Sequence, residues 1–213
     1  MAVRGFNYIF YPGLLMILFS PGTSTFAIEN VPDLLAQCYD CHGQHGHSDS
    51  PEMPIIAGYS KTYIMDTMTE YRHSERPCHE TRYLTGPRKG QTDDMCRVAR
   101  ELSRQETEII ADTLSKETFI PAKQKFNAER AARGQKLHKR MCEKCHENGG
   151  SSPDDDNGIL AGQWTQYVRH QMEEIETGRR PITKKMKKQF DKLDIEDIED
   201  LVQYYASLQQ RTE

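Results

Sequence analysis

Two five-residue stretches, CYDCH from Cys38 and CEKCH from Cys142, each set two thiols and an imidazole at the same spacing. On a helix, residues three apart share a face, so the sulfurs of Cys38 and Cys41 point to one side and His42 follows at once. Cys-x-x-Cys-His is the attachment signature of a c-type haem. Each sulfur can form a thioether with a haem vinyl group, and the histidine can bind the iron. Cys142, Cys145 and His146 repeat the set, so two haem c groups are expected. The competing chemistry is one zinc ion held by both Cys-x-x-Cys pairs. That would leave both histidines without a role and would join pairs 104 residues apart, far beyond finger spacing. A thioredoxin-like redox pair needs a βαβ setting that is not evident here.

A histidine-only iron has an open side, and its sixth ligand decides between electron transfer and substrate binding. Met95 lies 53 residues after His42, and Met186 lies 40 after His146. Each stands just before a C-terminal helix of its half, where a thioether sulfur can cross the haem face. Methionines also fill gaps in cores, but these two occupy matching places. Met53, Met65, Met68 and Met172 have no counterparts. Met/His ligation raises the reduction potential and fills both axial positions, which suits single-electron transfer and argues against catalysis at iron.

The elements that must position these groups form an internal repeat. IIAGYSKTYI, ending at Ile64, matches ILAGQWTQYV, ending at Val168. Gly58/Gly162, Tyr63/Tyr167, Arg76/Arg180 and Pro77/Pro181 share the 104-residue offset of the cysteines. The offset then falls to 91, because Met95-x-x-Val98-Ala99-x-x-Leu102 matches Met186-x-x-Gln189-Phe190-x-x-Leu193. The first copy therefore holds 13 extra residues between Pro77 and Met95, opened by Cys78 and followed by Cys96. The pattern reads as all-α. Asn30 and Pro32 can start a helix running into His42, and Gly134 to Cys145 is its partner. Ile109, Ile110 and Leu114 form one late apolar stripe. Behind an Asp194 cap, Ile195, Ile198, Leu201, Val202, Tyr205 and Leu208 form the other. No alternating strand pattern stands out.

Residues 1–27 read as a cleaved secretory signal peptide: Arg4, an apolar run from Leu14 to Phe19, then small residues ending at Ala27. An uncleaved anchor is the other reading, but the apolar core is short for a bilayer. No later segment is apolar enough to span one. The expected units are an N-terminal domain at 28–117, a linker at 118–127 around FIPAKQKF, and a C-terminal domain at 128–213. With 36% hydrophobic and 28% charged residues, two such domains have little apolar material of their own, which a large apolar cofactor in each would supply. Residues 28–120 carry 10 basic and 16 acidic side chains, and residues 121–213 carry 17 and 16. Neither half is basic enough to suggest nucleic acid.

Together these residues resemble two class I cytochrome c domains in tandem, the cytochrome c4 type, each wrapped around one covalently bound haem. PAKQKFNAERAARGQKLHKRMCEKCHENGG, ILAGQWTQYVRHQM, RRPITKKM and YYASLQQ, covering most of Pro121 to Gln210, are similar to the dihaem subunit of flavocytochrome c sulfide dehydrogenase. That resemblance implies a periplasmic haem subunit in a heterodimer with an FAD-containing sulfide dehydrogenase subunit. Sulfide chemistry would belong to the flavin subunit, so this chain alone would not be the catalyst of the sulfide–cytochrome c reductase. Electrons would leave to an external acceptor such as a small cytochrome. Cys38, Cys41, His42 and Met95 would serve one haem, and Cys142, Cys145, His146 and Met186 the other. A free cytochrome c4-type shuttle between respiratory complexes is the alternative.

Cys78 and Cys96 enclose the excess residues, and export allows a disulfide between them, worth about 3 kcal/mol in the chain-entropy model. Two other readings stand beside it: Cys96 as an axial thiolate in place of Met95, or a soft-metal site of Cys78, Cys96 and His73 or His79. Tyr63, Arg76, Trp164, Tyr167 and Arg180 are candidates to wall the haems or pair with their propionates, with ordinary packing as the alternative. RRPITKKMKKQFDK carries seven basic residues and one acid around Met186, a solvated face or a guide for an acidic partner.

Overall fold

Ser103 and Asp194, 91 residues apart, open a helix in the same way. Each side chain caps the backbone N–H three residues on, and each helix returns the bond through Glu106 or Asp197. These reciprocal capping boxes satisfy donors that a helix start leaves free. The computed structural model describes Met1 and residues 31–209; apart from Met1, the leader read at 1–27 and the Asn30 start fall outside the described residues.

The first half contains α1 (Val31–His42), α2 (Lys61–Arg72), α3 (Met95–Glu101) and α4 (Arg104–Leu114). The second contains α5 (Ala128–Met141), the single turn α6 (Glu147–Gly150), α7 (Thr165–Glu176), α8 (Lys184–Phe190) and α9 (Ile195–Ser207). Helices α2 and α7 begin and end 104 residues apart. The loops before them repeat as well. The Gly46 carbonyl accepts from Ile56 and Ala57, as the Gly150 carbonyl accepts from Leu160 and Ala161. The change of register is visible in one further pair of bonds. Gly58 N–H donates to Leu114 at 2.9 Å, and Gly162 N–H donates to Tyr205 at 2.8 Å. The glycines keep the offset of 104, and their acceptors keep 91. Two helix-rich halves thus follow one another along the chain, and among the described residues no helix is long and apolar enough to cross a membrane.

Each half buries its own core. Leu34, Leu35, Ile64, Met68, Ile110 and Leu114 pack together in the first, and Leu137, Val168, Met172, Leu201, Val202 and Tyr205 in the second. Full burial of one such side chain contributes about 1.5–3 kcal/mol. The apolar stripe of α9 meets this core from Ile198 onward. Ile195, in its first turn, is instead exposed. Residues 118–127 form no helix but are held against the second half. Ala122 N–H donates to the Gly162 carbonyl, and Gln124 bonds to Gln163 and Thr165.

The excess residues form a structure that the sequence did not announce. Thr81–Arg82 pairs antiparallel with Thr92–Asp93, two strands too short to show alternation. Tyr83 is buried beneath Arg88, and its hydroxyl donates to Asp93, which also accepts from Arg97. The hairpin folds back onto α1, where the N–H groups of Leu84 and Thr85 both donate to the Asp40 carbonyl. Cys78 and Cys96 are joined by a disulfide, with Cα atoms 5.7 Å apart, at the foot of this excursion. The bonded pair leaves neither sulfur free as a thiolate for iron or for a soft metal.

Helices α5 and α9 cross at Gly134, where an added Cβ would lie 2.0 Å from the Asp200 carbonyl oxygen. Backbone cannot yield there as a flexible side chain would. Gly134→Ala is therefore expected to destabilise the second half by about 1–3 kcal/mol, the usual range for overpacking, read as a lowered midpoint in guanidinium unfolding.

Candidate functional site

Helix α1 carries Cys38, Cys41 and His42 in its last two turns and delivers all three to one cavity of about 480 Å³. Met95, at the first position of α3, lines the same cavity, with Tyr63, Met68, Tyr71 and Arg76 among its other walls. The volume lies in the range of cofactor-sized pockets. His42 is buried, and its Nδ1 stands 3.0 Å from the Pro54 carbonyl. A carbonyl only accepts, so Nδ1 carries the proton and the Nε2 lone pair is left for a metal. Burial pushes the His42 pKa down, favouring that neutral ring.

Burial, with help from Cys41, pushes the Cys38 pKa up to about 12, and burial first, then Asp93, pushes Cys41 up to about 11. Burial likewise raises Cys142 to about 11. A thioether carries no charge, so it suits sulfurs buried in this way. Among the described residues, the four motif cysteines join no group of three or more metal-ligating side chains.

Arg76 supplies a further test of fit. Its side chain is 2% exposed; Nη2 donates to Tyr167 Oη at 3.1 Å and to Gln171 Oε1 at 2.7 Å. Its Nε and Nη1 are buried with no hydrogen-bond partner. A buried guanidinium with free N–H groups beside a cavity suits a carboxylate-bearing group, since an unmet buried donor is costly. A haem, apolar in its body and anionic at its propionates, matches both the cavity and the cation.

In the second half the motif is built differently. α5 stops at Met141, and Cys142 to His146 form a run of turns instead of a last helical turn. Cys145 is exposed and Cys142 is half-buried. His138 holds this run in place. Its Nε2 reaches the His146 carbonyl at 3.0 Å and Glu143 Oε2 at 2.8 Å, so Nε2 carries the proton and Nδ1 accepts from Tyr205 Oη at 3.0 Å. His146 Nδ1 is buried without a partner. Met186 lies half-buried in α8, whose start is capped by Thr183.

The remaining candidates gather at the junction of the halves. Arg180 Nη1 donates to Gln171 Oε1 at 3.0 Å, so one amide oxygen serves both arginines. Tyr63 lies against the Gly158 backbone; a Cβ there would come within 2.5 Å of its ring. Trp164 Nε1 donates to the Ser48 carbonyl across the junction, and the indole packs with Ile55, Ala57 and Ala122. The sequence assigns no role to His138, which has no partner in the repeat, or to Gln163 and Gln171. Gln163 is 1% exposed and its amide bonds both backbone groups of Ile55. Its neighbour Trp164 was noticed; the glutamine gives no signal until its burial is known.

The comparisons agree with this geometry. Residues 129–204 match the family described as cytochrome C oxidase, cbb3-type, subunit III. Cytochrome c-554(548) of Halomonas halodenitrificans is 31% identical over 75 residues, which make up 35% of this chain and 90% of that protein. Cytochrome c4 of Stutzerimonas stutzeri is 29% identical over 189 residues, covering 82% of this chain and 85% of the relative. The crystal structure of reduced recombinant cytochrome c4 from Pseudomonas stutzeri superposes with a TM-score of 0.67 at 25% identity, over 84% of this chain and 97% of that one. Replacing Cys38 and Cys41 together by Ala is expected to halve the covalently bound haem, measured by denaturing haem staining and intact mass.

Proposed function

The chain belongs to the cytochrome c family, as a tandem, cytochrome c4-like member with two covalently bound haem c groups that transfers electrons, and from this we propose that it is the haem subunit of a sulfide-oxidising flavocytochrome. It is exported to the periplasm, docks on a flavoprotein subunit, and passes that subunit's electrons to an external acceptor. The bound haems supply the one-electron chemistry. The chain's residues anchor them, ligate them and exclude water.

Cys38 and Cys41 would anchor the first haem through thioethers, with His42 and Met95 as the side chains that would hold its iron. Cys142 and Cys145 would anchor the second, with His146 and Met186 in the same roles. The observation that carries an electron-transfer role is that His42 and Met95 line one cavity, so a haem there would be held by an imidazole and a thioether and would supply one-electron chemistry. With both residues bound, no position would be left for oxygen or peroxide. Two one-electron centres also match the two electrons of a reduced flavin. The flavoprotein partner rests on the run from Pro121 to Gln210, which resembles the dihaem subunit of flavocytochrome c. Around Met186, the basic stretch from Arg179 to Lys192 is mostly exposed, as a face for an acidic partner requires.

A free cytochrome c4-type shuttle is the second reading, favoured by the match over 85% of one cytochrome c4 relative. Purification from the native source separates the two. A stable complex containing flavin and two haems is expected, and a preparation that never contains flavin leaves the shuttle. The ligands are tested separately. Met95→Ala and Met186→Ala should each remove about half of the thioether-to-iron absorption band, since each takes one of two sulfur ligands. If neither changes it, the assigned methionines are wrong.

A further inference from the structure

We propose that His79, His170 and Glu174 form a binding site for one zinc-type divalent ion, which clasps the two domains together. None of the three belongs to a Cys-x-x-Cys-His motif. His170 and Glu174 stand four residues apart on α7, so they share a face. His79 comes from the other domain, on the segment that leaves Cys78, where the disulfide to Cys96 fixes its path. His79 Nε2 bonds to Glu174 Oε1, and His170 Nε2 lies 3.7 Å from the same oxygen. The two imidazoles meet edge to face with centroids 4.5 Å apart. All three donor atoms lie within 4.8 Å of one another.

Two imidazoles and a carboxylate are a common donor set for zinc, with water in the fourth position. Zinc–ligand bonds of about 2 Å place tetrahedral donors somewhat over 3 Å apart. The imidazoles can move into that arrangement, because His79 and His170 are 49% and 39% exposed. Their exposure also provides the entry path. Glu174, 1% exposed, is fixed. Its Oε2 accepts from Gln171 Nε2 at 3.2 Å, which leaves Oε1 facing the two rings. Gln171 is itself held by Arg76 and Arg180 through its other amide atom. A ligating carboxylate oriented by a hydrogen bond is the usual outer-shell arrangement of a metal site.

The test uses the haem-loaded full chain and Zn²⁺ alone. Titration calorimetry, with metal analysis after dialysis, should give one zinc per chain. His79→Ala and His170→Ala should each weaken binding by about tenfold or more, the scale on which metal sites lose affinity when their shells are broken. Both residues also line the first cavity, so each variant is first checked by haem staining to carry two haems per chain. His45 and His47 lie near each other on another surface, with ring centroids 6.5 Å apart, and replacing both by Ala should leave the affinity unchanged. Zinc should also raise the thermal unfolding midpoint of the parent chain and not of His170→Ala. Absence of stoichiometric binding, binding that survives both single substitutions, or binding lost only in the His45/His47 variant would each overturn the proposal and leave the cluster as an ion pair.

Discussion

A guanidinium buried between the two halves of the chain sets how they meet. Arg76 leaves the first half at the end of the segment after α2; it lies over the Tyr71 ring and 3.9 Å from Glu70 in its own half, and its hydrogen bonds go to Tyr167 and Gln171 of α7 in the second. Burying this charge is expensive unless every N–H finds an acceptor. Two acceptors come from the opposite half, and the three N–H bonds on Nε and Nη1 remain without a hydrogen-bond partner beside the first cavity. The junction and the cofactor site are thus one structure. Displacing α7 would strand a buried cation, and an anionic group in the cavity would complete its bonding. Arg180 meets the same Gln171 oxygen from the other side, so the repeated arginines converge on one amide.

The backbone at the junction depends on the same economy of polar groups. Gln163 bonds the N–H and the carbonyl of Ile55, and it also reaches the Tyr59 hydroxyl. Ile55 lies in an irregular loop and has no ladder to join, and buried backbone groups must be paired. Trp164 and Ser48 make a further link of this kind. A chain with 36% hydrophobic residues therefore joins its halves with side-chain-to-backbone bonds around a small apolar patch.

Much of the fold was legible because repetition is a strong signal in a single sequence. The offset of 104 marked α2 and α7, and the fall to 91 located the excess residues, as Gly58/Gly162 with their acceptors Leu114/Tyr205 show. The Cys-x-x-Cys-His motifs could be read because their chemistry is local, with two thiols and an imidazole within five residues. Contacts made once and across the chain were not legible. The cluster of His79, His170 and Glu174 joins residues 95 apart, and the sequence offered His79 only the nearby Cys78 and Cys96 as metal-site partners. The hairpin at Thr81–Asp93 was missed because two-residue strands have no period. Ile195 looked like part of the α9 stripe, yet the first turn of that helix lies outside the core.

The two attachment motifs are alike in sequence and unlike in structure, and the cause is traceable. His42 donates to the Pro54 carbonyl. The matching position in the second half is Gly158, which adopts φ 76° with its backbone against the Tyr63 ring. A proline cannot take that conformation, and His146 Nδ1 is left without the acceptor that His42 has. In its place the second motif is held from behind, by His138 on the His146 carbonyl. Leu34 occupies the corresponding place in α1 and offers no such bond. A hydrogen bond at Nδ1 raises the donor strength of the opposite ring nitrogen. The two imidazoles therefore differ in the basicity of the ring nitrogen opposite Nδ1, and the inequality comes from how the second half packs against the first.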